Sequence, residues 1–101
     1  MVSARGDIDL STVAKAVAAL ASARAGARTL ILDLHEVGFT DTSGLRLVID
    51  EQRRAAEDGY RFAVVRGSRR VQRLFEIAGL AYEHDLFVGQ STQPAGGGGG
   101  G

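Results

Sequence analysis

Asp41, Thr42, Ser43 and Gly44 stand in a row where an apolar helical pattern opens at Leu45. The two hydroxyls are candidate phosphoryl acceptors. Free backbone N–H groups at a helix start favour negative charge, phosphate included. Gly44 leaves the hydroxyls uncrowded and lets a partner's backbone approach. Asp, Thr and Ser are equally the ordinary N-cap residues of a helix. The local pattern alone therefore reads first as a helix start and does not separate a cap from an acceptor. Ser43 has no sequence-supported base, so no Ser-His-Asp set assembles and no enzyme activity is expected. His35 and His84 lie far apart and lack metal spacing. The chain has no cysteine, which excludes disulfides and thiolate metal sites. No cofactor or metal is expected.

The elements that must position this segment follow from periodicity. Val13, Ala16, Val17, Leu20 and Ala23 recur at spacings of three and four and predict a helix over 11–25, capped by Ser11 or Asp9 and stopped by Gly26. Thr29 to Leu34 is a short, nearly continuous apolar run, the pattern of a strand buried on both faces of a parallel sheet. A loop is expected from His35 to Thr40. The helix that starts beside Thr42 runs to about Asp58, where Asp-Gly signals a turn. Tyr60 to Val65 reads as a second interior strand. Ser68 caps a third helix with Val71, Leu74, Phe75 and Ala78 on one face, and Gly79 stops it. Leu86 to Val88 is a candidate short final strand. Alternation of this kind implies α/β architecture with parallel neighbours and right-handed crossovers. The Leu30–Leu34 strand delivers the chain to a loop outside its carboxyl end, where functional loops of open α/β sheets sit.

Bulk composition narrows the class. The 101 residues carry twelve basic and twelve acidic side chains. Zero net charge gives no electrostatic reason to expect nucleic acid or anionic membrane as a partner. No apolar run approaches the roughly 20 residues of a membrane span, and the N-terminus lacks a signal-peptide core, so a cytoplasmic location is expected. Pro94 to Gly101 holds the only proline and a run of six glycines and is expected to be flexible. Arg69, Arg70 and Arg73 read as a solvated face of the third helix, with a partner contact as the alternative, since that helix should flank the Thr42 helix. Arg53 and Arg54 carry the same reading more weakly. Asp33 ends its strand as a cap or as a group that positions the following loop.

Three blocks carry a family resemblance. LILDLHEVGFTDTSGLRLVI, Leu30 to Ile49, closely resembles the signature of bacterial anti-sigma factor antagonists of the STAS family. In that family an apolar strand ends in an acidic position, here Asp33. An apolar or aromatic residue, here Phe39, precedes Asp-Ser-Ser/Thr-Gly-Leu, here Asp41 to Leu45. Gly6-Asp7-Ile8-Asp9 resembles the family's Gly-Glu-Ile/Leu-Asp, and Ser68 to Leu80 resembles its third-helix segment.

The resemblance implies a STAS-like fold over residues 1–90: a mixed, mostly parallel sheet of about three to four strands flanked by helices. A Gly-rich tail over 91–101 follows. It implies an anti-sigma factor antagonist that binds an anti-sigma factor with Ser/Thr kinase activity and frees a sigma factor. Phosphorylation at Thr42, with Ser43 in reserve, switches it off, and a phosphatase restores it. Mg-ATP belongs to the kinase. The implied partner-binding residues are Asp7, Asp9, Asp41, Thr42, Ser43, Gly44, Leu45 and Arg46. Family members usually begin with two strands before the Gly-Glu-Ile-Asp block, whereas only Met1 to Arg5 precede it here. The first strand therefore reads as missing and the second as a stub, which exposes a sheet edge and offers a route to a homodimer. Thr42 replaces the commoner serine, and the family's final helix is replaced by the glycine tail. A scaffold module of a stressosome-like assembly and an accessory STAS subunit of a transport system are the alternative readings.

Overall fold

The computed structural model describes residues 1–80 and 86–88. His84 and the 91–101 tail lie outside the described residues. The elements are β1 (Val2–Ile8), α1 (Val13–Arg24), β2 (Thr29–Thr40), α2 (Thr42–Asp58), β3 (Arg61–Val65), α3 (Arg69–Ile77) and β4 (Phe87–Val88). The strands lie in the order β1-β2-β3-β4, and every neighbouring pair is parallel. Among the described residues the sheet is thus wholly parallel and not mixed. Each crossover steps to the next strand in one direction, and right-handed crossovers then place every helix on the same face. Leu20 of α1, Leu47 and Val48 of α2, and Val71 and Phe75 of α3 accordingly join Leu30, Leu32, Leu34 and Val64 in one core. The apolar run of β2 is therefore buried on one face only. Leu30, Leu32 and Leu34 are buried, whereas Ile31 and Asp33 between them are half-buried.

Two strand expectations are corrected. Val2 to Arg5 is no stub. With Gly6, Asp7 and Ile8 it forms a seven-residue edge strand. Val2, Ala4 and Ile8 alternate with Ser3, Arg5 and Asp7, a period of two that suits one covered face. The segment from His35 to Thr40 is no loop either, because β2 continues through it. Polar residues and Gly38 disguise the strand, and register explains them. Ser3 pairs with Asp33 but Arg5 with Glu36, and Gly6 pairs with Val37 but Asp7 with Phe39. Each interval of β2 thus holds one residue more than β1 does: Leu34 and His35 lie opposite Ala4 alone, and Gly38 has no counterpart. These are bulges, which bend and twist the strand that carries them. The Asp33 carboxylate accepts the His35 N–H at 2.8 Å and so ties down the first bulge. The inward spacing lengthens from two (Leu30, Leu32, Leu34) to three (Leu34, Val37, Thr40), and all five stay buried.

The bent half of β2 closes over the helices. Leu34, Val37 and Thr40 pack together with Leu47 and Val48 of α2 and Val71 and Phe75 of α3. The third helix shares this core with the Thr42 helix but packs chiefly on β2, whereas α1 is the helix that packs directly on α2. Arg69, Arg70 and Arg73 point to solvent, as do Arg53 and Arg54. The helix limits match the periodicity to within a residue or two. α1 begins at Val13 because Asp9, Leu10, Ser11 and Thr12 form a tight turn, with Asp9 O accepting from Thr12 N and Val13 N. Val17, counted in the apolar stripe of α1, is 47% exposed.

One tertiary link has no counterpart in local patterning. Glu51 of α2 is 3% exposed. Its carboxylate takes Arg24 Nη2 at 2.6 Å and Arg24 Nε at 3.0 Å, and it also accepts the Tyr60 hydroxyl. Burial alone would push the Glu51 carboxyl up. The hydrogen bonds from Arg24 and Tyr60, with the Arg24 charge, outweigh it and hold the group below its usual value. The same contacts act on the partners. The hydrogen bond to Glu51 raises Arg24, and burial followed by the Glu51 bond raises the Tyr60 phenol. Glu51 falls at core spacing with Leu47, Val48 and Ala55. A carboxylate on a buried stripe is the sequence signal that a cation must meet it.

Candidate functional site

The site forms where β1 and β2 end and α2 begins. Asp41 is the N-cap of α2, extended in backbone, and its carboxylate accepts Ser43 N at 2.7 Å. Its own N–H donates to Ile8 O at 3.1 Å, which fastens the end of β1 to the start of α2. Asp7 and Asp9 flank Ile8, so the structure brings the Gly-Asp-Ile-Asp block beside Asp41 as the sequence implies. Thr42 is the first residue of α2 and is exposed, whereas Ser43 is half-buried. Accessibility favours Thr42 over Ser43 as the residue that a second protein can modify. A phosphate there would meet the positive end of the α2 dipole.

The other implied contact residues divide by role. Asp7 is exposed, and its carbonyl accepts the Thr12 hydroxyl at 2.9 Å. The carboxylate of Asp9 is occupied inside the chain. Its Oδ1 accepts Ser11 N at 2.9 Å, Ser11 Oγ at 2.7 Å, Thr12 N at 3.1 Å and Thr12 Oγ1 at 3.2 Å. These bonds, the Ser11 hydroxyl foremost, hold the carboxyl below its usual value. Asp9 therefore shapes the turn that leads into α1. Leu45 is half-buried and Arg46 exposed on α2.

Gly44 is buried, so its expected role in admitting a partner's backbone is replaced by an internal one. A Cβ there would stand 1.9 Å from Thr40 Oγ1 and 3.3 Å from Ile8 Cγ2. Only glycine lets the first turn of α2 sit this close to the ends of β1 and β2.

A groove of about 390 Å³ runs from the site along the seam between α1 and α2. Leu10, Val13 and Val17 form one wall and Thr42, Ser43, Arg46, Leu47 and Asp50 the other. Sequence reasoning missed it because Leu10 lies just outside the helical stripe. A second shallow hollow on the other flank of α2 is lined by Thr42, Leu45, Arg46, Ile49, Asp50 and Arg53. Among the described residues no His, Cys, Asp and Glu cluster could hold a metal ion, and no helix is long and apolar enough to cross a membrane.

The STAS_2 family, described as Mlab, STAS domain, matches residues 1–88. The chain belongs to this family. Two solved structures share the STAS fold seen here. One is the anti-sigma factor antagonist SpoIIAA in its unphosphorylated form, with a TM-score of 0.71 at 22% identity over 87% of this chain and 77% of that one. The other is a Thermotoga maritima protein described as a candidate anti-sigma factor antagonist, with a TM-score of 0.73 at 16% identity over 86% of this chain and 76% of that one. No curated protein matches the chain.

Proposed function

We propose that this STAS domain is an anti-sigma factor antagonist, a cytoplasmic binding protein and not an enzyme, that engages an anti-sigma factor with Ser/Thr kinase activity. Phosphorylation of Thr42 ends the engagement and a phosphatase renews it. The observation that carries the reading is the exposed Thr42 on the first turn of α2, directly after the Asp41 cap. The likeness in fold to SpoIIAA supports it. A phosphate on Thr42 adds about −1.5 to −2 charge at pH 7. The helix start tolerates that charge, so the fold persists. A partner surface matched to an acidic, uncharged-hydroxyl site meets extra charge and bulk, and like-charge contact with desolvation weakens the complex by several kcal/mol.

Incubation with an anti-sigma factor kinase of the source cell and Mg-ATP should add one phosphoryl group, about 80 Da, at Thr42. Thr42→Ala should abolish the gain and keep the binding. Phosphate on Ser43 instead would overturn the residue assignment, and failure of every such kinase to bind either form would overturn the function. The second reading is an accessory or scaffold STAS subunit of a larger assembly. It is favoured by a family description that names Mlab and not an antagonist. A stable complex with non-kinase subunits, insensitive to Thr42 phosphorylation, would decide for it.

A further inference from the structure

Leu10 is 82% exposed, the highest value among the large apolar side chains that face solvent. It sits at the apex of the turn that the Asp9 carboxylate holds with four hydrogen bonds from Ser11 and Thr12. Holding a leucine outward in water brings no folding benefit. Val17, one wall further along the same seam, is 47% exposed. Both line the α1–α2 groove that ends at Thr42 and Ser43. Arg46 lies four residues after Thr42 on α2, so the two share a face of the helix, and both line the groove.

From this arrangement we infer that the α1–α2 groove is the docking site for the kinase that modifies Thr42. The occupant is an apolar side chain of that kinase packed against Leu10, Val13 and Val17, with a carboxylate of the kinase beside it on Arg46. The inference rests on the proposed function and specifies where the affinity resides. Continuity argues for the kinase as occupant. A protein that encloses the Thr42 hydroxyl must also cover the groove mouth, since Thr42 and Ser43 are part of its wall. Charge argues for the carboxylate, because Arg46 has no partner among the ion pairs of the described residues. The arrangement also gives the release step a local cause. A phosphate on Thr42 lies one helical turn from Arg46 and competes for its guanidinium, a strong phosphate ligand. Phosphorylation then adds charge at the groove mouth and withdraws the cation that the docked carboxylate uses.

The test uses the full chain and the purified anti-sigma factor kinases of the source cell, with binding measured by calorimetry or surface plasmon resonance. Leu10→Ala and Arg46→Glu should each weaken binding of the unphosphorylated chain by roughly ten-fold or more. Ile77→Ala, which truncates an equally exposed apolar side chain on α3 outside the groove, should bind as the parent chain does. All three positions are on the surface, so the melting temperatures should coincide. At saturating kinase, Leu10→Ala should still accept phosphate at Thr42, which separates docking from chemistry. If the parent chain is bound and phosphorylated while Leu10→Ala and Arg46→Glu bind equally well, the groove assignment falls and the proposed function stands. If no kinase binds the parent chain, both fall together.

Discussion

At the scale of single residues, the site is held by contacts that Asp41 and Gly44 make inside the chain. Asp41 spends its carboxylate on Ser43 N and its N–H on Ile8 O. Gly44 creates the space in which α2 can start against Thr40 and Ile8. Gly44→Ala should therefore destabilise the domain although alanine is the better helix former. A methyl group 1.9 Å from Thr40 Oγ1 must displace buried Thr40 or the helix start. Overpacking of this kind costs about 1–3 kcal/mol, or roughly 4–8 °C in melting temperature per kcal/mol for a domain of this size. Thermal unfolding followed by circular dichroism checks it. An unchanged melting temperature would mean that Thr40 simply rotates away. The hydroxyl pair and its cap were legible in the sequence because capping is local chemistry between residues two or three apart. The inward role of Gly44 was not, since it depends on Thr40 and on Ile8 from another strand.

At the scale of elements, the joint among α1, α2 and the entry to β3 rests on Glu51, Arg24 and Tyr60, the residue before that strand. α1 contributes only Leu20 as a fully buried side chain, so this polar clamp carries much of its attachment. Glu51→Ala should cost about 2 kcal/mol, because it leaves the half-buried Arg24 guanidinium without its counter-ion. The double variant Arg24→Met with Glu51→Leu should recover most of the loss. The pH dependence has a definite sign. The Glu51 carboxyl is held below its usual value in the folded chain, so its stabilisation is present above the ordinary carboxylate range of about 4. It disappears as pH falls through the lower, folded value. Urea titrations at pH 7 and pH 3 should show an acid loss that Glu51→Gln reduces; an equal acid loss in that variant would place the effect on other carboxylates. The three helices and the core of β2 were legible from periodicity. The clamp was not, since Arg24 and Glu51 stand 27 residues apart. Nor was the second half of β2, because a bulged strand abandons the period of two and resembles a loop until its register against β1 is known.

At the scale of the whole molecule, the sheet is unevenly supported, and the site stands on its weaker part. Thr29 to Asp33 of β2 has β3 on one side, and from Leu32 onward β1 on the other. Beyond Asp33 only β1 accompanies it, through two bulges. β1 is itself an edge strand. α2 therefore starts from a two-stranded extension, supported on one face by Leu47, Val48, Val71 and Phe75. Two-stranded ribbons alone are marginal in water, and regions that move in function are drawn from the less stable parts of a fold. Amide hydrogen exchange should then be slowest in Leu30 to Leu34 and their β3 partners, and at least about ten-fold faster from Glu36 to Thr40 and along the outward amides of β1. Binding of the kinase should slow exchange in the turn from Asp9 to Thr12, since it covers the groove that Leu10 lines. Phosphorylation of Thr42 alone should protect the first turn of α2 without slowing that turn. If Glu36 to Thr40 exchanges as slowly as Leu30 to Leu34 in the free chain, packing against α2 and α3 already fixes the extension. The partner would then meet a preformed surface, and affinity would depend on the groove contacts alone, with no ordering of the site to offset.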